Sequence, residues 1–195
     1  MTENSSVIAL FPLHTVLFPG GPLPLRIFET RYTDMVRRCM REQQPFGVVL
    51  IQEGEEAGEV ATTATVGCTA RIADFHTLQD GFLGISCVGV QKFRVLRVWR
   101  ASDGLNMGEI SWLAADRELA LPERYAHLAE TVRRALEDLS EHYEHVERKF
   151  DDAAWIGARL TELLPIELAD KQALLELDDP IERLDTLLTV VPAPD

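Results

Sequence analysis

Four prolines and a Gly-Gly pair fall inside one apolar run, LFPLHTVLFPGGPLPLRIFETRY, at residues 10–32. Pro12, Pro19, Pro22 and Pro24 each fix φ, lack a backbone donor and push the preceding residue toward extended geometry. No single helix can hold this run. It reads as extended pieces at residues 7–11 and 23–27, joined by a corner at Phe18-Pro19-Gly20-Gly21-Pro22. On backbone physics alone this is an N-terminal strand pair with a rigid corner, its second strand running directly into a helix.

That helix is predicted over residues 29–43, where Phe28, Tyr32, Met35, Val36, Cys39 and Met40 recur at steps of three and four. Arg31, Arg37, Arg38 and Arg41 occupy its other faces and read as a solvated surface. Pro45 ends it, and residues 46–51 form a short buried strand. Residues 52–63 (QEGEEAGEVATT) are acidic and glycine-bearing, and read as a mobile loop. Asp80-Gly81 between alternating runs at 65–78 and 82–90 signals a tight hairpin. Residues 91–100 and 106–113 supply two more strands. Six or seven short strands with one helix favour a small closed or half-closed barrel.

From Pro122 the period changes. Tyr125, Leu128, Val132, Leu136, Leu139, Tyr143, Val146 and Phe150 predict one long amphipathic helix. Asp151 or Asp152 can cap a second, carrying Trp155, Ile156, Leu160 and Leu163, which stops before Pro165. A third covers 168–177. A fourth opens on Asp179-Pro180-Ile181-Glu182, resembling a capping box, and presents Ile181, Leu184, Leu188 and Val191. The last four residues are expected to fray.

The opening run resembles the start of the Lon substrate-binding domain, the N-terminal domain of ATP-dependent Lon proteases, which also occurs as a free-standing bacterial protein. The pattern falls on Phe11-Pro12-Leu13, Val16, Phe18-Pro19-Gly20, and Leu23-Pro24-Leu25 through Arg31-Tyr32. Thr30 stands where the family usually has proline, and threonine can also begin a helix. PFGVVLIQEG, VGCTARIADF, DGFLGISCVGVQKFRVL and LPIELADKQALLELDDPIERLDTLL are similar to later family segments. The fold this resemblance implies is α+β: an N-terminal PUA-like β pseudobarrel with one helix, then a C-terminal α-helical bundle. The expected division is a β-rich subdomain at 1–115 and a helical one at 116–195.

Charge follows the same division. Residues 1–115 hold 12 acids against 10 Lys+Arg, and residues 116–195 hold 20 against 9, giving the net −13. Such acidity disfavours nucleic acid as a partner. Only Lys92, Arg94, Arg97 and Arg100 around Phe93 and Trp99 hint at an RNA-binding strip, the alternative that PUA-like barrels suggest. No apolar run is long enough for a membrane helix. The first residues lack a signal peptide's basic and apolar regions, so the chain is expected in the cytoplasm. Cys39, Cys68 and Cys87 have neither disulfide nor zinc spacing and read as small core hydrophobes.

No catalytic constellation is visible. There is no GxxxxGK[ST] loop, and Lys92, Lys149 and Lys171 have no serine motif beside them, so no catalytic residue and no cofactor is expected. His142 and His145 would sit three apart on one acidic helix, where a cation site is conceivable but solvated side chains are the simpler reading. His14 and His76 stand alone.

The resemblance implies a non-enzymatic module that binds unfolded or exposed apolar polypeptide segments, with a Lon-type ATPase–protease as a candidate partner. The expected contact is the hairpin tip: Phe75, His76, Leu78, Phe82 and Leu83. A two-residue turn pairs Leu78 with Leu83, putting His76, Leu78, Leu83 and Ile85 on one face and Phe75 and Phe82 on the other. Both faces are then apolar near the tip. Either both are covered, or one is left open to a client.

Overall fold

A computed structural model describes residues 5–54 and 62–191. Its first half consists of β1 (Ser5–Leu13), β2 (Pro22–Ile27), α1 (Thr30–Glu42), β3 (Phe46–Glu53), β4 (Thr62–Thr63), β5 (Val66–Thr77), β6 (Leu83–Arg100) and β7 (Asn106–Trp112). Consecutive hydrogen-bonded neighbours run β1-β7-β6-β5-β3, and β3 returns to pair in parallel with β1, so the sheet closes on itself. β2 lies on the first half of β6 and β4 on the end of β3.

β1 and β2 do not pair with each other, contrary to the expected N-terminal strand pair. The reason is occupancy: Leu10 already has Gly47 of β3 on one side and Asn106 of β7 on the other. The corner instead carries the chain across to β6, where Gly20 N–H donates to Gly89 O (2.8 Å) and Gly89 N–H to Gly21 O (2.9 Å). The two expected strands at 82–90 and 91–100 are one: Val90 and Gln91 form a bulge opposite Thr69, whose hydroxyl donates to Gln91 O and accepts from Gln91 N–H at 3.2 Å each, and the strand runs on through it. Most of the predicted 52–63 loop lies outside the described residues; Gln52-Glu53 and Thr62-Thr63 are strand.

α1 buries Tyr32, Met35, Val36 and Cys39, with Tyr32 stacked on Phe11 at 3.8 Å between ring centroids. They share a core with Ile27, Phe46, Cys68, Ala70, Ile85 and Cys87. Phe28 and Met40 are exposed, so the apolar stripe is narrower than predicted. Phe28 precedes the N-cap Glu29 and never joins the helix.

A short 3-10 turn (Glu123–Tyr125) leads into α2 (Ala126–Asp138), followed by α3 (Ala153–Leu163), α4 (Leu168–Glu176) and α5 (Pro180–Leu188). α3 is buried all round, and α2, α4 and α5 pack against it. Asp152 caps α3 through Trp155 N–H (2.7 Å), and Asp179 caps α5 through Ile181 N–H (2.8 Å). The long helix expected up to Phe150 stops at Asp138, and residues 139–146 form turns. Glu137 and Asp138 crowd the negative end of α2, whose last turn has no basic residue. Tyr143 and Val146 still reach the core, so their apolar spacing is met by turns.

Residues of the β-rich part and of the helices share one core, in which Val16 and Phe18 of the β1–β2 connection, Leu50 and Val66 meet Tyr125, Leu128, Ile156, Leu160, Leu184 and Leu187. Three buried cations cross this interface. Lys92 of β6 reaches Asp116 (2.8 Å) and the Leu177 carbonyl (3.2 Å); Arg183 reaches Asp116 (2.7 Å) and the Leu174 carbonyl (2.9 Å). Arg159 donates to Pro19 O (3.1 Å) and, through two nitrogens, to Glu162 at 2.8 Å each. Among the described residues no helix is long and apolar enough to cross a membrane.

Candidate polypeptide-binding surface

The hairpin between β5 and β6 closes through a three-residue loop. Leu78 N–H donates to Phe82 O and Gly81 N–H to Leu78 O, each at 2.9 Å, with Gly81 at φ 84°. A left-handed glycine after a turn is the standard three-residue solution. Asp80 accepts from Phe82 N–H (3.1 Å) and fixes the loop. Leu78 therefore faces Phe82, Thr77 faces Leu83, and Phe75 faces Ile85.

This is one residue out of the predicted register, and a slip of one exchanges faces. His76, Leu78 and Phe82 share the outer face, where the His76 ring lies over Gly84. Phe75, Leu83 and Ile85 share the inner face: Ile85 is fully buried, Leu83 is half-buried against the core, and Phe75, opposite Ile85, is exposed. The five predicted residues are thus at one tip but on two faces. Neither face is fully covered there, since Phe75 is 60% and Phe82 39% exposed. Arg26 spans the outer face, its guanidinium 4.7 Å from the Phe82 ring centre and 2.9 Å from Asp80.

Phe28, not anticipated here, belongs to the same end. Ile27 pairs with Leu83, so the next residue of the chain emerges beside the tip, 62% exposed. Its position just before a helix N-cap is the signal that could have separated it from the α1 stripe. Beside it a groove of about 540 Å³ is lined by Phe11, His14, Pro24, Leu25, Phe28 and Tyr32. β2 bonds only to β6 among the described strands, leaving an open edge. Pro22 and Pro24 are where edge strands accept proline, with the missing N–H on the open side, so this edge is poor in donors for a client strand.

Other candidates fare differently. His142 and His145 sit in turns, not on one helix face; His145 lies 3.9 Å from Asp74. Among the described residues no group of three or more His, Cys, Asp or Glu is arranged to hold a metal. Lys92 is buried and ion-paired, which removes it from the basic strip and leaves Arg94, Arg97 and Arg100. Burial pushes the Cys68 and Cys87 thiols up to about 12 and raises Cys39 as well, so none is a ready nucleophile.

The model of the ATP-dependent protease La (LON) substrate-binding domain matches residues 7–191. A crystal structure of a Lon N-terminal domain protein from Xanthomonas campestris is 39% identical, with a TM-score of 0.77 over 94% of this chain and 98% of that one. The N-terminal domain of a Mycobacterium avium complex Lon protease shares the fold, at 16% identity and a TM-score of 0.61. Lon protease from Cytophaga hutchinsonii is 25% identical over 97% of this chain and 24% of its own length. Chicken (Gallus gallus) protein cereblon is 27% identical over 57% of this chain and 25% of its own length. The chain thus spans about a quarter of the length of these curated relatives, and what it matches in Lon is the substrate-binding domain. With a family model covering nearly all of its residues, this chain belongs to the Lon substrate-binding domain family.

Proposed function

We propose that the chain is a non-enzymatic polypeptide-binding module that holds exposed apolar segments of unfolded proteins at the tip of the β5–β6 hairpin. Family membership supports the ligand class. The observation that carries the location is the exposure of Phe28, Phe75 and Phe82 together at one end of the sheet. Exposed aromatics clustered on a folded protein mark a binding surface, and aromatic side chains dominate such contacts. His76, Leu78 and Leu83 complete the patch.

In this reading a PUA-like pseudobarrel (1–115) carries the site and an α-helical bundle (116–195) supports it. The chain works in the cytoplasm, where free thiols persist, and a Lon-type ATPase–protease is its natural partner. It turns over neither ATP nor peptide itself.

Fluorescence anisotropy tests the reading, with labelled, reduced and carboxymethylated α-lactalbumin as a permanently unfolded client. Saturable binding that persists at 0.5 M salt is expected, because apolar contacts are not screened. Binding of single-stranded or structured RNA instead, lost with salt, would favour the basic strip on β6 and overturn the proposal.

A further inference from the structure

Lys92 and Lys149 each lie beside a carboxylate, at 2.8 and 3.2 Å. Lys171 of α4 differs. It is half-buried, it donates to the Glu162 carbonyl (2.9 Å), and among the described residues no carboxylate pairs with it. Burial holds its pKa below the ordinary 10.5, and the nearby charge of Glu162 offsets this only in part. A partly dehydrated ammonium that has used one of its three donors favours an anion.

Lys171 lines a cleft of about 360 Å³, where the β1–β2 connection and the start of β2 face the turn after α2 and the helices α3 and α4. The wall is mostly apolar, with Leu17, Leu23, Leu139, Leu163 and Leu168. The other titratable groups of the lining are His142, Tyr143 and Glu162. Glu162 is already neutralised: two Arg159 nitrogens hold its carboxylate at 2.8 Å each, and the Tyr143 hydroxyl donates to it (3.4 Å). Glu167 and Asp170 at the start of α4, and Glu141 of the turn, are exposed and lie outside the lining. One cation in an apolar cleft of this size suits a carboxylate carried on an apolar residue.

Thr15, Pro22, Leu23 and Pro24 line both this cleft and the groove that reaches Phe28, so the two are continuous along β2. The six residues of β2 extend about 17 Å, which about five extended client residues cover.

We propose that the cleft at Lys171 receives the terminal carboxylate of a polypeptide whose last residue is apolar, the preceding residues running along β2 to the hairpin tip. This rests on the polypeptide-binding reading and gives the client a direction, with its C-terminus at Lys171.

The test is calorimetry of the full chain with an acetylated heptapeptide, phenylalanine second, serine spacers and leucine last, made with a free carboxylate and with a carboxamide. The carboxylate form should bind wild type about tenfold more tightly, the size of one charge-assisted hydrogen bond. Lys171→Gln keeps a donor for the Glu162 carbonyl but loses the charge, and should bring the two peptides within twofold. Lys171→Arg should restore the difference. Equal affinities in wild type would overturn the proposal, whether or not the variants fold, and so would a difference that persists in folded Lys171→Gln. Acetyl-leucine binding as tightly as the heptapeptide would make the cleft a small-carboxylate site and overturn it as well. If neither peptide binds while unfolded α-lactalbumin is still held, the subsite alone falls; if α-lactalbumin is not held either, the polypeptide-binding reading falls with it.

Discussion

Gly21 lies directly against Glu162, with room for a hydrogen but not for a side chain: a β-carbon there would collide with Glu162 Oε1 and come within 2.9 Å of Arg159 Nη2. The second glycine of the opening motif is therefore a matter of packing, since its φ is not left-handed, whereas Gly20 sits at φ 71°. The corner and α3 fit each other through a buried ion pair that cannot swing away.

Gly21→Ala should therefore destabilise the fold by about 1–3 kcal/mol, the usual cost of overpacking. Chemical denaturation would show a lower midpoint with an unchanged slope. A midpoint equal to wild type would mean that the Arg159–Glu162 pair yields freely.

Asp116 and Asp178 both approach Lys92, at 2.8 and 3.2 Å, but only Asp116 is enclosed. Its side chain is 11% exposed against 90% for Asp178, and it also holds Arg183. Asp116→Asn leaves two buried cations short of a counter-charge and should cost about 3–5 kcal/mol. Asp178→Asn should stay under about 1 kcal/mol, as exposed pairs do. Equal losses in the two variants would contradict the assignment of Asp116 as the buried link between β6 and α5.

Much of this architecture was legible in the residues. Pro165 and the caps Asp152 and Asp179 marked helix boundaries because each acts on its own backbone, within a few residues. What escaped was set by partners distant in sequence. The parallel pairing of Leu10 with Gly47 leaves no trace in either strand alone, and it is what keeps β2 from β1. The hairpin register failed for a different reason. Asp-Gly fits a two-residue turn, but here Asp80 caps the loop and Gly81 takes the left-handed position after it, which exchanges Phe82 and Leu83 between the two faces relative to Phe75, His76 and Leu78. At Leu139 the apolar spacing continued past the point where the helix stopped, because periodicity reports burial and not hydrogen bonding.

The thiols supply a pH signature. Cys68 and Cys87 titrate near 12 in the folded chain, against an ordinary value of 9.0, because burial disfavours the thiolate. Below pH 9 both states keep their protons and stability is unaffected. Between about 9 and 12 the unfolded chain releases protons that the folded chain retains, so stability should fall as pH rises. Under reducing conditions, replacing both cysteines by alanine should flatten that decline. Rapid labelling of native Cys68 or Cys87 by an aromatic disulfide reagent at pH 8 would contradict their burial.

The most direct test of the binding surface is unfolded α-lactalbumin capture by Phe75→Ser, Phe82→Ser and the double variant, measured alongside their thermal midpoints. Both rings project from the end of the sheet, so their loss should leave the midpoint within about 2 °C, as expected of surface substitutions. Client affinity should drop at least fivefold in the single variants and further in the double. Wild-type affinity in the folded double variant would contradict the account and remove the hairpin tip as the binding site.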